Sequence, residues 1–525
     1  MASAHPPLRP FARGGVAAPT GPEAAALDRR AIERLGVPKA VLMENAGRAA
    51  AAVLDRLFPT GTVVGLVGAG NNGGDALVLL RTVMAWGREV RGVIAADRPA
   101  DDPLLHGWPV PLAHDTDLGE AALARLLASA AVVVDGVLGT GASGAPRERQ
   151  AAAITSMNAA RRPVLAVDVP SGIDASTGAV PGAATRADVT VSFGAPKLGT
   201  LLHPARALVG RLVAVDIAFP PLEASECGAL VATPAWARER LPLRGTETHK
   251  KAIGSLLIAA GRVGMAGAAV LAARASFRAG VGLVRVCSFP ANREVLQSAV
   301  PEAIWIDASD GSAVRAALEQ SDALAAGPGL GTDDAASTLL GTLLSGPARP
   351  TLLDADALNL AAAGRFDLAK TARERPLLIT PHPGEMGRLA AAVGGSTPVD
   401  PASTARAAAK RLGCAVLLKG APSLVASPDG PLLVDTQSSS DLAVAGMGDA
   451  LTGVAGALLA QGLDPRTAGA IGLYLTGRAA RIAGRGAALI PSDVVRHLAD
   501  ALVEQGEFVN DLALPFVTFD ADAAR

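Results

Sequence analysis

The sequence predicts two doubly wound α/β domains, each a mostly parallel sheet with helices on both faces. Three observations carry this. Short Val, Ile and Leu runs are continuous rather than alternating, the pattern of strands buried on both faces. Ala-rich helical stretches and glycine turns separate these runs along the whole chain. The length of 525 residues, at roughly 100 to 200 residues per domain, exceeds one small module.

Composition narrows the class further. Half of the residues are hydrophobic and 18% are charged, which excludes a mainly disordered chain. Lys plus Arg total 48 against 49 for Asp plus Glu, a net charge of -1, so neither nucleic acid nor an anionic membrane is the expected partner. Small molecules are. Mean hydropathy is positive, but mostly from Ala, and no run is both charge-free and predominantly apolar over about 18 residues. The opening residues lack the apolar core of a secretory signal, so a soluble, cytoplasmic protein is expected. Cys227, Cys287 and Cys414 are far apart and odd in number, and are read as core thiols rather than disulfides or zinc ligands.

Residues 1–21, rich in Pro, Gly and Arg, read as a flexible tail. Leu27, Ile32 and Leu35 followed by Gly36 predict a helix and its stop, and a second helix runs from Val41 to Leu57. Strands are expected at Thr62 to Val67, Glu89 to Ala95, Ala131 to Val134, Val164 to Val167 and Val189 to Phe193, completing a first domain over 22–225. The stretch from Phe219 to Glu247 is broken by prolines and charges and marks a junction. A second domain over 230–510 has strands at Ser255 to Ala259, Gly282 to Val286, Ala323 to Ala325, Thr351 to Leu353, Leu377 to Ile379 and Ala415 to Leu418. A C-terminal tail over 511–525 ends the chain. The glycine motifs of the halves differ, so two unrelated domains with separate activities are expected.

In both halves polar residues and glycines cluster just after strands, at Asp135, Asp168, Asp354, His382 and Lys419, where open parallel sheets bind ligands. In the first half, Gly68-Ala-Gly70-Asn71-Asn72-Gly73-Gly74-Asp75 contains G-x-G-x-x-G between a strand and a helix, offering backbone N–H groups to phosphate. Asp97 would serve loosely as the acidic residue such a motif wants. Asp75 fits poorly, because a carboxylate beside a pyrophosphate repels it, and a glycine turn capped by Asp75 accounts for the loop without any ligand. Asp135 before Gly139-Thr140-Gly141-Ala142-Ser143-Gly144-Ala145, and Asp168 before Ser171, each stand at a strand end. Oxygens from Asn72, Asp135 and Ser171 would suit a hard cation.

In the second half, Gly446 and Gly448 precede Asp449 and an apolar helix, placing an anion site beside a carboxylate, as phosphoryl transfer to a hydroxyl requires. A plain turn with an Asp cap is the alternative. Lys419-Gly420-Ala421-Pro422-Ser423 follows a strand, and His382 lies between prolines before Gly384-Glu385, a rigid turn presenting the imidazole.

Leu42-Met-Glu-Asn-Ala-Gly47, Asn71 to Asp75, Asp135 to Gly144, Asp168-Val-Pro-Ser-Gly-Ile-Asp174 and Phe193-Gly-Ala-Pro-Lys197-Leu-Gly199 together resemble the NAD(P)HX epimerase family over residues 23–220. The resemblance implies a Rossmann-like domain that interconverts the R and S epimers of hydrated NADH and NADPH (NADHX and NADPHX) with bound potassium. It implies that Asn71, Asn72, Gly73, Gly74, Asp75 and Gly139 to Ala145 hold the dinucleotide, that Asp168 contacts its nicotinamide end, and that Asn72, Asp135 and Ser171 bind K+. Epimerising a hydroxyl-bearing ring carbon beside nitrogen needs proton transfer, for which Asp168 is the first candidate and Lys197 the second. The alternative for Lys197 is a solvated lysine. Ala69 stands where that family usually has Pro.

The second series, from His249-Lys250-Lys251 through Gly264-Met-Ala-Gly267-Ala268, Gly327-Pro-Gly329-Leu-Gly331, Asp354-Ala-Asp356-Ala-Leu-Asn359 and Thr380-Pro-His382-Pro-Gly384-Glu385 to Ala445-Gly446-Met447-Gly448-Asp449, is similar to the ribokinase-like NAD(P)H-hydrate dehydratase family over 235–505. That implies Mg2+-assisted phosphorylation of the S epimer's hydroxyl by ADP, as in bacterial-type members, or by ATP, and its loss as phosphate. By the same resemblance, Ala268, Gly329, His382 and Asp449 contact the hydrate, and Lys419 to Ser423 with Gly448 contact the nucleotide. Lys251, Ser423 and Met447 depart from the residues common there. A homo-oligomer is expected. The rivals are a small-alcohol or vitamin kinase and a non-catalytic dinucleotide-binding scaffold.

Overall fold

A computed structural model describes residues 16–98, 102–220, 227–242, 253–392, 400–503 and 516–519. The chain divides into two compact units, one formed by residues up to 231 with those from 508 onward, the other by 232–507. None of the described helices is long and apolar enough to cross a membrane.

The first unit is built on an eight-stranded sheet in the order Phe516–Phe519, Arg211–Val215, Val189–Phe193, Val164–Val167, Val132–Gly136, Val63–Val67, Val90–Ile94, Leu112–His114. All neighbours are parallel except the first pair. The central strands are buried at every residue, because helices cover both faces and neither side of the pleat meets water. From Val63–Val67 the chain builds first toward Val90–Ile94 and later toward Val132–Gly136, so the order reverses there. Such a reversal splays the two following loops and opens a crevice at the strand ends.

The second unit repeats the principle with different connections. Its strands run Leu432–Asp435, Leu424–Ala426, Ala415–Leu418, Leu377–Ile379, Thr351–Leu353, Ala323–Ala326, Ser255–Ala259, Leu283–Ser288, Ile304–Asp307. The first two are antiparallel additions; the rest are parallel. The reversal lies at Ser255–Ala259, between its partners Leu283–Ser288 and Ala323–Ala326. The loops after it meet, with the Gly261 amide donating to Pro328 O at 2.9 Å and that of Arg262 to Gly329 O at 2.6 Å.

Both terminal stretches expected as tails contain paired chain. Val16–Ala17 pairs antiparallel with residues 230–231, and Phe516–Phe519 pairs antiparallel with Arg211–Val215. The helix Gly21–Arg29 starts within the expected tail on a capping box, Thr20 with Glu23. Ladders of two and four residues are too short to show a period, and their pairing depends on a distant partner strand.

Candidate active sites of the two units

In the first unit the strand Val63–Val67 runs into Gly68-Ala69-Gly70, and the helix Asn71–Ala85 begins at once. The glycines are required by approach. A Cβ on Gly68 would lie 2.0 Å from Val137 O, and one on Gly73 would lie 2.0 Å from Gly68 O. Arg98 ties the loop by donating to Gly68 O and Gly70 O, each at 3.0 Å. Asp97, the loose candidate for the acidic residue that the glycine motif wants, has a fully exposed side chain paired with Arg149. It is not among the residues that line the crevice.

A cavity of about 450 Å3 fills the crevice. It brings together Asn71, Asn72, Asp75, Gly139, Thr140, Gly141, Ala142, Asp168 and Lys197, and adds Asp28, Lys39 and Met43. Gly73 and Gly74 are buried beneath it, whereas Ser143, Gly144 and Ala145 are exposed and outside its lining. Lys39 and Asp28 come from the leading helices, whose apolar spacing announced a core and gave no hint that polar neighbours face a ligand.

Asp168 and Lys197 form one unit. Lys197 is 3% exposed; its ammonium donates to Asp168 Oδ1 and, at 2.9 Å, to Phe193 O. The reading of Lys197 as a solvated lysine is thereby overturned: a buried ammonium requires a counter-charge and acceptors, and it has both. Asp168 also accepts the Phe193 amide at 3.0 Å. Its φ of 65° lies in the left-handed region, which costs about 1 kcal/mol outside glycine and is tolerated best by Asp and Asn.

The cluster Asn72, Asp135, Ser171 is also assembled. Asp135 is fully buried, accepts the Ser171 amide at 2.8 Å and hydroxyl at 2.6 Å, and accepts the Val137 amide at 3.2 Å. Burial raises its pKa, and these bonds oppose the rise. Asn72 donates to Leu138 O at 2.8 Å, which leaves its amide oxygen as a donor to a cation. The Thr185 hydroxyl beside Asp135 is buried without a hydrogen bond of good geometry. One carboxylate, neutral oxygens and an orphaned hydroxyl are a donor set suited to a weakly hydrated cation such as K+.

In the second unit Lys419 follows the strand Ala415–Leu418 and pairs with Asp354 Oδ1 at 2.7 Å. Asp354 is 1% exposed and accepts the Thr452 hydroxyl at 2.9 Å. Gly446, at φ 89°, caps the helix Met447–Ala460. A Cβ on Gly448 would lie 3.5 Å from both Asp354 Oδ2 and Lys419 Nζ, so this glycine sits directly over the ion pair. Asp449 on the same first turn is pushed up to about 6, by burial first and then by the negative charge of Asp354, against the lowering effect of Lys419.

His382 is placed by its own turn. Its Nδ1 accepts the amides of Gly384 at 3.0 Å and Glu385 at 3.3 Å, which leaves Nε2 as the donor of the half-exposed ring. Glu385, buried, accepts the His382 amide at 2.8 Å and lies 4.0 Å from Lys419. Ala268 and Gly329 adjoin, since a Cβ on Gly329 would be 3.1 Å from that of Ala268. Ser423 differs from expectation: its hydroxyl bonds to Gly420 N and O and closes the turn 420–423 rather than opening onto a ligand. Gly420, Ala421 and Pro422 form that turn. His249, Lys250 and Lys251 lie outside the described residues.

The sequence marks Asp354 as a strand-end candidate without a particular role, and gives Glu385 and Thr452 no role of their own. Asp354 announces itself as an acid at a strand end, but Thr452 lies inside an apolar helix where nothing marks it. Ala355 between Asp354 and Asp356 has φ 47° and ψ -117°, a strained conformation that aims the two carboxylates apart, Asp356 accepting the Gly331 amide at 2.8 Å. Gly327 packs against this corner with φ 130°, and a Cβ there would lie 1.8 Å from Asp354 O. Gly327→Ala is therefore expected to destabilise the second unit by about 2 kcal/mol or more, read as a lowered unfolding midpoint. An unchanged midpoint would show that the corner can relax.

Comparison with known proteins agrees with this division. A family model described as NAD(P)H-hydrate dehydratase matches residues 256–502, and one described as YjeF-related protein N-terminus matches 39–199. The bifunctional NAD(P)H-hydrate repair enzyme of Moorella thermoacetica is 36% identical over 89% of this chain and 92% of its own; that of Salinibacter ruber is 37% identical over 87% and 90%. Among solved structures, an ADP/ATP-dependent NAD(P)H-hydrate dehydratase of Bacillus subtilis, co-crystallised with ATP and Mg2+, is 28% identical with a TM-score of 0.45, covering 52% of this chain and 96% of its own. At such identity over nearly the full length of both relatives, the chain belongs to the family of bifunctional NAD(P)H-hydrate repair enzymes.

Proposed function

We propose that the first unit interconverts the R and S epimers of NADHX and NADPHX and that the second converts the S epimer to NADH or NADPH by ADP-dependent dehydration. The observation that carries the reading is a pair of sites at the strand ends of the two sheets: a buried Asp168–Lys197 pair in a 450 Å3 cavity, and Asp449 beside a glycine cap and the Lys419–Asp354 pair. In the second site, Asp449 takes the proton of the substrate hydroxyl as the terminal phosphoryl group of ADP is transferred. Lys419 and the amides at Gly448 hold phosphate charge, and Ala268, Gly329 and His382 bound the hydrate. Magnesium with the nucleotide supplies further charge neutralisation when bound. Loss of phosphate, followed by loss of a proton from the adjacent ring carbon, then restores the ring double bond.

The balance gives the test. Each NADH formed from S-NADHX with ADP must be matched by one AMP and one phosphate. A stable phosphorylated product instead would favour the alcohol or vitamin kinase, and tight binding without turnover would favour the scaffold.

Potassium belongs to the same proposal, with Asn72, Asp135 and Ser171 as its holders and the loop after Gly136 as what it shapes. Epimer exchange should slow when K+ is replaced by a bulky organic cation, and Asp135→Ala should remove that difference. Equal rates in both salts for the unaltered protein would return Asp135 to a purely structural role. Cytoplasmic residence and assembly into a homo-oligomer are carried as expectations of sequence alone.

A further inference from the structure

Asp75 stood out in the sequence as a misfit, a carboxylate in a loop otherwise suited to an anion. The structure removes the conflict by placing it elsewhere on the same helix. Asp75 follows Asn71 by one turn, lines the cavity, and is 9% exposed. Among the described residues no hydrogen bond or ion pair reaches its carboxyl group. A buried carboxyl group without partners is costly as an anion. The charged groups facing it are Asp28 from the helix Gly21–Arg29, Lys39 at the start of Lys39–Leu57, Asp168 after the strand Val164–Val167, and Lys197. Burial, then the charges of Asp168 and Asp28, hold Asp75 well above the usual carboxylate range. Asp168 is in the opposite situation, since the ammonium of Lys197 and the amide of Phe193 are partners for an anion. Two carboxyl groups in one cavity, one bare and one paired with a cation, divide naturally into acid and base.

We propose that Asp75 is a second catalytic residue of the epimerising site, the acid that protonates the departing hydroxyl while Asp168 serves as base. This rests on the reading of the first unit as an epimerase. The Asp75 carboxyl gives its proton to the substrate hydroxyl; the C–O bond breaks with its electron pair leaving on water, and the lone pair of the adjacent ring nitrogen forms a C=N bond. Water then adds to the opposite face of that carbon, the C=N pair returns to nitrogen, and the proton of the added water passes to Asp168. The carbon is inverted, one proton has moved from Asp75 to Asp168, and no oxidant or reductant is required. The other epimer runs the same path backward. Asp28, half-buried and less enclosed, is placed to tune the pair rather than to replace either member.

The test uses the full chain without ADP, so that dehydration does not consume either epimer, and follows R/S exchange of NADHX by chromatography. Asp75→Asn keeps the shape and the hydrogen-bonding donor but cannot transfer a proton; its kcat should fall by about 10^2 to 10^4-fold with KM little changed, and Asp75→Glu should recover part of the rate. In the unaltered protein the rate should fall as pH rises and Asp75 loses its proton, a readout that stands even if a variant fails to fold. Native exchange by Asp75→Asn, or a native rate that does not fall at alkaline pH, overturns the proposal while leaving the epimerase reading intact. Absence of exchange in the unaltered protein overturns that reading, and the proposal with it.

Discussion

Asp449→Asn is expected to lower the rate of NADHX dehydration by about 10^2 to 10^4-fold, the usual contribution of a positioned proton-transfer group, while R/S exchange keeps its native rate. The carboxylate lies on the first turn of Met447–Ala460, beside Gly448 and the Lys419–Asp354 pair. Asn has the same shape and keeps the glycine cap, so the loss isolates proton transfer from anion binding. The pH dependence is fixed by the same environment. A base must be deprotonated to act, and Asp449 has its pKa pushed up to about 6 by burial and by Asp354. Dehydration should therefore hold its rate above about pH 6 and fall roughly tenfold per pH unit below it. Equal loss of both activities, or a profile that stays flat well below pH 6, would contradict this assignment.

Asp168→Asn should stop interconversion of the epimers without impairing conversion of the S form. Asn tolerates the left-handed φ of 65° found here, so the backbone is not the cause of the loss. The variant removes the anion and leaves Lys197, 3% exposed, without its counter-charge. Breaking a buried pair in this way costs about 3 to 5 kcal/mol, so the first unit should also melt earlier. Unimpaired dehydration by the same preparation separates a chemical loss from a general failure to fold. Unchanged epimer exchange would remove Asp168 from the mechanism.

How much of this was legible in the sequence differs by element. The central strands were visible because double-sided burial writes a continuous apolar run, and observed strands such as Val164–Val167, Thr351–Leu353 and Ala415–Leu418 coincide with those runs. The edge pieces were not, since Leu112–His114 and Phe516–Phe519 are short and take their form from a neighbour. Residues at strand ends, Asp168, His382 and Lys419, announced themselves by type and position. Their partners did not. Thr452 is a hydroxyl in an apolar helix, and Asp28 follows Leu27 in what reads as a core-facing helix; only the fold shows that Thr452 reaches Asp354 and that Asp28 reaches the cavity. The burial of Lys197 is likewise a property of the assembled site, because a lysine after a glycine turn reads the same whether solvated or paired.

The most direct test gives the purified full-length protein a mixture of R- and S-NADHX with ADP and follows both epimers to completion. A stereospecific dehydratase fused to an epimerase predicts that both disappear and that NADH accumulates to the total hydrate supplied. Conversion that stops when the S epimer is exhausted, with R-NADHX left over at no more than its spontaneous rate of exchange, would contradict the claim that one chain carries both steps.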